Sequence, residues 1–286
     1  MDPAEEAATG ADRRMTQGRP WSPFAAAATG LGGGFFSGLT GVGGGAIMVP
    51  LMTGVLKMRQ HTAHGTSLVV IVFGATASAA TYAWREGIDW PMVAVLLPAS
   101  LVGAYAGARL VQYLPAMRLR QLFGLFVLLV GLRLLVFHEV EALISVGRVA
   151  EILVGAGIGL AGGLLSGALG VGGGAIFVPA LVLLLGVGQH EAQGVSLCVI
   201  VCAAAVGAFT HARHGSMDLA AARWIAPVAV PAGMAGALVA SKLDAGTLQR
   251  IFALVAIGVG VQMLFTATRA LRRAPAGFVT REEAAA

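Results

Sequence analysis

Eight apolar stretches, with most of the charge confined between them, decide what this chain can fold into. They lie at about 24–56, 64–84, 90–112, 119–137, 149–187, 194–211, 219–241 and 248–268. A helix needs about 20 apolar residues to cross the hydrocarbon core of a bilayer, and only helices and closed barrels satisfy their backbone groups there. Six stretches have that length. The first and fifth are too long for one crossing, and each carries glycines where a helix should be continuous: Gly41-Val42-Gly43-Gly44-Gly45 and Gly170-Val171-Gly172-Gly173-Gly174. Only 12% of the 286 residues are charged, and the mean hydropathy is +0.82. Soluble domains carry about twice that charged fraction. The expected fold is all-α and polytopic in a membrane, and its 41 glycines suit helices that approach closely in lipid.

Sliding the chain on itself by 129 residues aligns 34–68 with 163–197 without a gap, and 19 of the 35 positions are identical. Ser37, Pro50, Gln60, His61 and Ser67 meet Ser166, Pro179, Gln189, His190 and Ser196, and further along Thr81 and Asp89 meet Thr210 and Asp218. This reads as a duplication of a four-segment unit. The expected organisation is an N-terminal tail at 1–22, membrane repeats at 23–137 and 149–269, a linker at 138–148 and a C-terminal tail at 270–286. The tail at 1–22 is polar, and the apolar run after it lacks a cleavage signature. It therefore reads as a cytoplasmic tail rather than a signal peptide.

Orientation follows from the basic residues. If each long stretch folds back as a helix–break–helix hairpin, 14 of the 19 Lys and Arg residues fall on the tail side, Lys57, Arg59, Arg109, Arg118, Arg120, Arg213 and Arg223 among them. A single crossing by each long stretch gives 12 against 7. Positive connectors favour the cytoplasm, so the hairpin arrangement fits better. It leaves about eight transmembrane segments, two repeats in opposite orientations, and both termini cytoplasmic. A formal charge of +5 raises the question of a nucleic-acid partner, but these residues are spread over connectors and ends rather than a stripe. No nucleic-acid partner is expected.

The glycine clusters carry the chemistry. Glycine costs about 1 kcal/mol per residue in a helix relative to Ala, and unwound backbone at membrane depth is tolerated only when buried in protein or lining a cavity. A helix restarting at Gly45-Ala46-Ile47 presents free N–H groups and a positive dipole end to such a cavity. Pro50 and Pro179 are read as lying near the restart, where a missing N–H does least harm. Two restarts converging from opposite repeats make a backbone anion site from Gly43, Gly44, Gly45 and Ala46 with Gly172, Gly173, Gly174 and Ala175. The alternative is that these glycines only allow tight packing. That role is assigned to the i+4 stripes Gly30, Gly34, Gly38 and Gly155, Gly159, Gly163, Gly167. Dinucleotide and P-loop fingerprints do not apply: no acid follows near 61, no Lys-Ser/Thr follows the glycines, and no βαβ unit exists.

Ser67 and Ser196 are candidates to complete the anion's hydrogen bonds from the next helix, against the alternative that they bond their own backbone. His61 and His190 are candidates for a proton relay or for caps, and His64 is a weaker candidate without a counterpart in the second half. Asp89 and Asp218 read as first-turn acids that stabilise helix dipoles. Cys198 and Cys202 read as small apolar side chains. No metal or cofactor is expected. A membrane-embedded hydrolase would need a base beside Ser166 or Ser196, and none is evident, so the chain is not expected to be an enzyme.

The paired motifs Ser37-Gly38-x-x-Gly41-Val42-Gly43-Gly44-Gly45-x-x-x-Val49-Pro50 and Ser166-Gly167-x-x-Gly170-Val171-Gly172-Gly173-Gly174-x-x-x-Val178-Pro179 resemble the TauE/SafE family of sulfite exporters. The following His-x-Ala-x-Gly-x-Ser-Leu, at 61–68 and 190–197, is similar to that family's second motif. The likeness covers about residues 24–269. It implies a permease that moves sulfite, sulfonates or other sulfur-containing organic anions, mostly outward across the bacterial inner membrane. Val195 departs from the pattern where the first copy has Thr66, so the half-sites need not be equivalent. An inside-negative potential favours outward movement of a monoanion by about 2.3 kcal/mol per 100 mV. The main competing expectation is a cation- or proton-coupled carrier of another small solute, recognised by unwound carbonyls or an acid. The sequence leaves the oligomeric state open.

Overall fold

The computed structural model describes residues 21–110, 116–136, 147–169, 173–213, 215 and 217–273, and the side chains of 61, 108–110, 116–120, 167–169 and 270–273 lie outside that description. Outside it too are Gly170, Val171 and Gly172, residues 1–20, the expected linker over 138–146 and the tail from 274 on. Every regular element among the described residues is a helix: α1 (Pro23–Thr40), α2 (Gly45–Gly54), α3 (Gln60–Arg85), α4 (Trp90–Leu110), α5 (Ala116–Val136), α6 (Arg148–Leu169), α7 (Gly174–Leu185), α8 (Gln189–Arg213), α9 (Leu219–Ala240) and α10 (Ala245–Arg273). Six of them (α3, α4, α6, α8, α9 and α10) are long and apolar enough to cross a membrane. Each long apolar stretch divides into two helices at its glycines, so ten helices stand where eight stretches were read.

The division has a local cause. Pro23 opens α1, where its missing N–H costs nothing. Gly41 ends α1 in the left-handed region (φ 70°), and its N–H reaches the Ser37 carbonyl at 2.9 Å. Gly43 and Gly44 continue at φ 84° and 73°, a conformation that costs an L side chain about 1–2 kcal/mol. The chain thereby turns back on itself. A Cβ on Gly44 would lie 3.2 Å from the Ser37 Cβ, one on Gly33 3.1 Å from the Met48 Cγ, and one on Gly32 3.6 Å from the Leu51 Cδ1. Rising numbers on α2 thus meet falling numbers on α1, and α2 folds back along it. Gly173 and Phe177 approach Gly162 in the same way. With 10 and 12 residues, α2 and α7 rise about 15 and 18 Å, little more than half a bilayer core.

Most long-range packing pairs a helix of one half with a helix of the other: α1 with α9, α4 with α6, α3 with α8 and α9, and α5 with α10. The glycine stripes make the first two of these contacts. Gly30, Gly34 and Gly38 face Ile225, Ala229 and Gly233 of α9, while Gly155, Gly159 and Gly163 face Met92, Leu96 and Ser100 of α4. Two pairs of corresponding helices, α3 with α8 and α5 with α10, run antiparallel. Tyr82 of α3 meets Gln193 of α8 while Leu68 meets Gly207. In α5 and α10, Gln121 bonds Thr268 and the Leu134 carbonyl accepts from Gln249. By contrast α3 and α9 are parallel, with Thr66 at Asp218, Gly74 at Ala229 and Ser78 at Gly233.

A side chain on a stripe has nowhere to go. A Cβ on Gly163 would stand 2.7 Å from the Ser100 Cα, whereas one on Gly157 meets nothing within 4 Å. Gly163→Leu is therefore expected to lose about 1–3 kcal/mol of stability, read by thermal unfolding in detergent, and Gly157→Leu less than about 0.5 kcal/mol.

Candidate binding site

The two helix restarts meet. Gly44 and Gly173 both act as N-caps in the left-handed region, with φ 73° and ψ −17° and −22°. The Gly44 carbonyl accepts the N–H groups of Ile47 (3.1 Å) and Met48 (2.7 Å), and the Gly173 carbonyl those of Ile176 (2.9 Å) and Phe177 (3.1 Å). Gly45 and Ala46, like Gly174 and Ala175, thus occupy the first positions of their helices, where N–H groups have no intrahelical acceptor. A Cβ on Gly174 would fall 2.7 Å from the Val42 Cα and 2.8 Å from its carbonyl oxygen, so the second restart touches the first break directly.

A cavity of about 10 Å³ lies against this junction, lined by Gly44, Ala46 and Ala175 and roofed by Val127 of α5 and Phe252 and Val255 of α10. That is about the size of one water molecule, and the walls are almost wholly apolar. The antiparallel α5–α10 pair thus covers the junction.

Pro50 and Pro179 correct one expectation. Each is the sixth residue of its helix, beyond the four N–H groups that lack acceptors. Their missing N–H groups therefore remove the bonds that the Ala46 and Ala175 carbonyls would have accepted.

The remaining candidates part company. Ser196, fully buried, donates from Oγ to the Gly41 carbonyl at 2.9 Å and pins the first break from α8. Ser67, its counterpart, donates to His64 of its own helix at 2.9 Å. Thr66 accepts the Asp218 N–H at 2.9 Å, which ties α3 to the start of α9 and is a contact that Val195 cannot make. His190 Nε2 lies 3.1 Å from the carbonyls of both Ala240 and Leu243, so it caps the end of α9. His61 begins α3, and its side chain is outside the described residues. Asp89 and Asp218 accept the N–H groups of Met92 (3.0 Å) and Ala221 (2.9 Å) as helix caps. Thr81 and Thr210 bond one turn back in their own helices. Among the described residues no three His, Cys, Asp or Glu side chains gather as a metal site.

Two polar residues at the first break, Tyr82 and Gln193, escaped the sequence reading. Tyr82 Oη reaches both the Gly38 carbonyl (3.1 Å), an unpaired end of α1, and the Gln193 side chain. Gln193 lies over Gly41, whose added Cβ would be 2.7 Å from the Gln193 Cβ. Its Nε2, and Oγ of Ser37 beside Gly44, are buried without a hydrogen-bond partner. The available signal was positional: Gln193 matches His64 at the repeat offset, an amide in an otherwise apolar span.

Residues 5–134 and 155–285, the two halves with their breaks, match the family described as "Sulfite exporter TauE/SafE". The chain belongs to that family. It is a multi-pass membrane transporter of the TauE/SafE family, not an enzyme. It is similar to a probable membrane transporter protein of Xylella fastidiosa strain 9a5c, 29% identical over 81% of this chain and 91% of the relative. It is also similar to the probable membrane transporter protein YunE of Bacillus subtilis, 26% identical over 82% and 95%, and to one from Haemophilus influenzae, 26% identical over 80% and 93%. No solved structure matches.

Proposed function

We propose that this TauE/SafE protein is a secondary transporter that carries a small sulfur-containing anion, such as sulfite or a sulfonate, outward across the bacterial inner membrane. The contact between Gly174 and Val42 carries the reading, because it brings two helix starts to one point. Anions gather at helix starts, where N–H groups and the dipole favour negative charge. In this reading Gly43–Ala46 and Gly172–Ala175 bind the anion, Ser196 holds the first break in shape, and the α5–α10 lid moves aside to admit it. Ser67 and His190 serve structure, and the membrane potential drives export without a proton relay.

The repeats, at 23–137 and 149–269, are taken to lie in opposite orientations, with α1–α2 and α6–α7 as re-entrant hairpins among eight segments and both termini cytoplasmic. The antiparallel pairs α3–α8 and α5–α10 support this, since corresponding helices of repeats inserted the same way would run parallel. A second reading, coupling to a cation, is favoured by the Ala46 and Ala175 carbonyls that Pro50 and Pro179 leave free.

Proteoliposomes separate the two. With a potential of 100 mV, negative inside, sulfite loaded at equal concentration should leave until a gradient of roughly 50-fold stands. Flux that ignores the potential but follows an imposed sodium or proton gradient would support the cation-coupled reading instead. If neither sulfite nor a small sulfonate moves, the substrate class is wrong.

A further inference from the structure

The parallel helices α3 and α9 leave a groove of about 390 Å³ on the outer surface, away from the helix breaks. Val69 and Phe73 of α3 form one wall, and Leu219, Ala226 and Pro227 of α9 form the other. Phe73 is 54% exposed and Leu219 63%, so in a bilayer this wall meets acyl chains. One charged side chain lines the groove, Arg223. It is exposed, and it makes no hydrogen bond or ion pair among the described residues.

Arg223 is the fifth residue of α9, about 6 Å along the helix from its first residue, near where headgroups give way to hydrocarbon. The Thr66–Asp218 bond puts the starts of α3 and α9 on one membrane face. Lys57 and Arg59 precede α3 on that face, and Arg213 ends α8 just before α9. The face onto which the groove opens thus carries Lys57, Arg59 and Arg213, with the Asp218 carboxylate engaged as the cap of α9. Pro227, which also lines the groove, lacks the N–H that would bond the Arg223 carbonyl, so that carbonyl loses its usual helical partner. A guanidinium in apolar surroundings is costly without a counter-charge, and its fork suits phosphate.

We propose that this groove binds an anionic phospholipid, with the phosphate on Arg223, a headgroup hydroxyl on the Arg223 carbonyl and one acyl chain against Val69, Phe73 and Ala226. Charge complementarity favours a lipid over a second copy of the chain, because a twofold contact through this face would set Arg223 against its own copy.

The test is native mass spectrometry of the full chain released from vesicles of equal phosphatidylglycerol and phosphatidylcholine. Phosphatidylglycerol should be retained preferentially, and Arg223→Gln should cut that retention about tenfold while Arg223→Lys keeps part of it. Ala226→Phe, which fills the groove, should also release the lipid. Arg223 is exposed, so its variants test the proposal even if Ala226→Phe folds poorly. Equal retention of both lipids, unchanged retention in Arg223→Gln, or a disulfide joining two copies through Phe73→Cys would each overturn it.

Discussion

Gly174→Val is expected to lower anion flux in proteoliposomes by at least about 100-fold while the protein still inserts and extracts as a folded species. The added Cβ would lie 2.7 Å from the Val42 Cα, 2.8 Å from the Val42 carbonyl oxygen and 2.7 Å from the Ile200 Cδ1. Two of these are backbone atoms of the opposite break, so a rotamer change cannot make room. The restarts must separate, and an anion can then reach the amides of only one helix start. Hydrogen bonds to a charged group contribute about 1.5–3 kcal/mol each, so losing two removes about two decades of affinity or more. Gly258→Val is the control, because nothing lies within 4 Å of its added Cβ. Gly163→Leu supplies the comparison for stability alone, with turnover per folded molecule retained below its melting point. Normal flux in Gly174→Val would show that the helix starts are not the binding site.

The sequence makes the breaks legible because their cause is local. Glycines in the left-handed region end one helix and cap the next whatever surrounds them, and a run of them in an apolar stretch has few other uses. The stripes at Gly30–Gly38 and Gly155–Gly163 are legible as contact surfaces for the same reason, though not their partners. That α1 packs on α9 and α4 on α6, each across the halves, depends on segments more than 50 residues away. Pro50 was misplaced although the restart at Gly45 is as expected, because the sixth position of a helix already lies past its first turn. The first turn starts at Gly45, and one turn's difference decides whether a proline spares a carbonyl or frees one.

Ser67 and Ser196 show where local reading ends. They occupy equivalent places in nearly identical sequence, yet one hydroxyl bonds one turn back and the other reaches Gly41 in the opposite half. Tyr82 and Gln193 are a sharper case. Neither is a fixed position of a motif, Gln193 filling a variable place in the second one. What makes them notable is burial beside the carbonyl end of α1, a tertiary fact.

Cysteine reporters at Arg59 and Gly188 are expected to label from opposite faces of the membrane. The two positions correspond at the offset of 129, each precedes the second helix pair of its half, and both are exposed. Were the repeats inserted alike, a membrane-impermeant thiol reagent would reach both from one side. With the halves inverted, Arg59→Cys reacts from the face that carries Lys57 and Arg213, and Gly188→Cys only from the other. Both substitutions are structurally mild: Arg59 lies in an extended N-cap conformation, and a Cβ on Gly188 meets nothing within 4 Å. Cys198 and Cys202, the free thiols already present, are first replaced by Ala. The effect is all-or-none, because the bilayer either separates the reagent from the thiol or does not. Labelling of both from one face would place the helix restarts on the same side of the membrane. Two dipole ends could not then converge at the midplane, and the shared anion site would have no geometric basis.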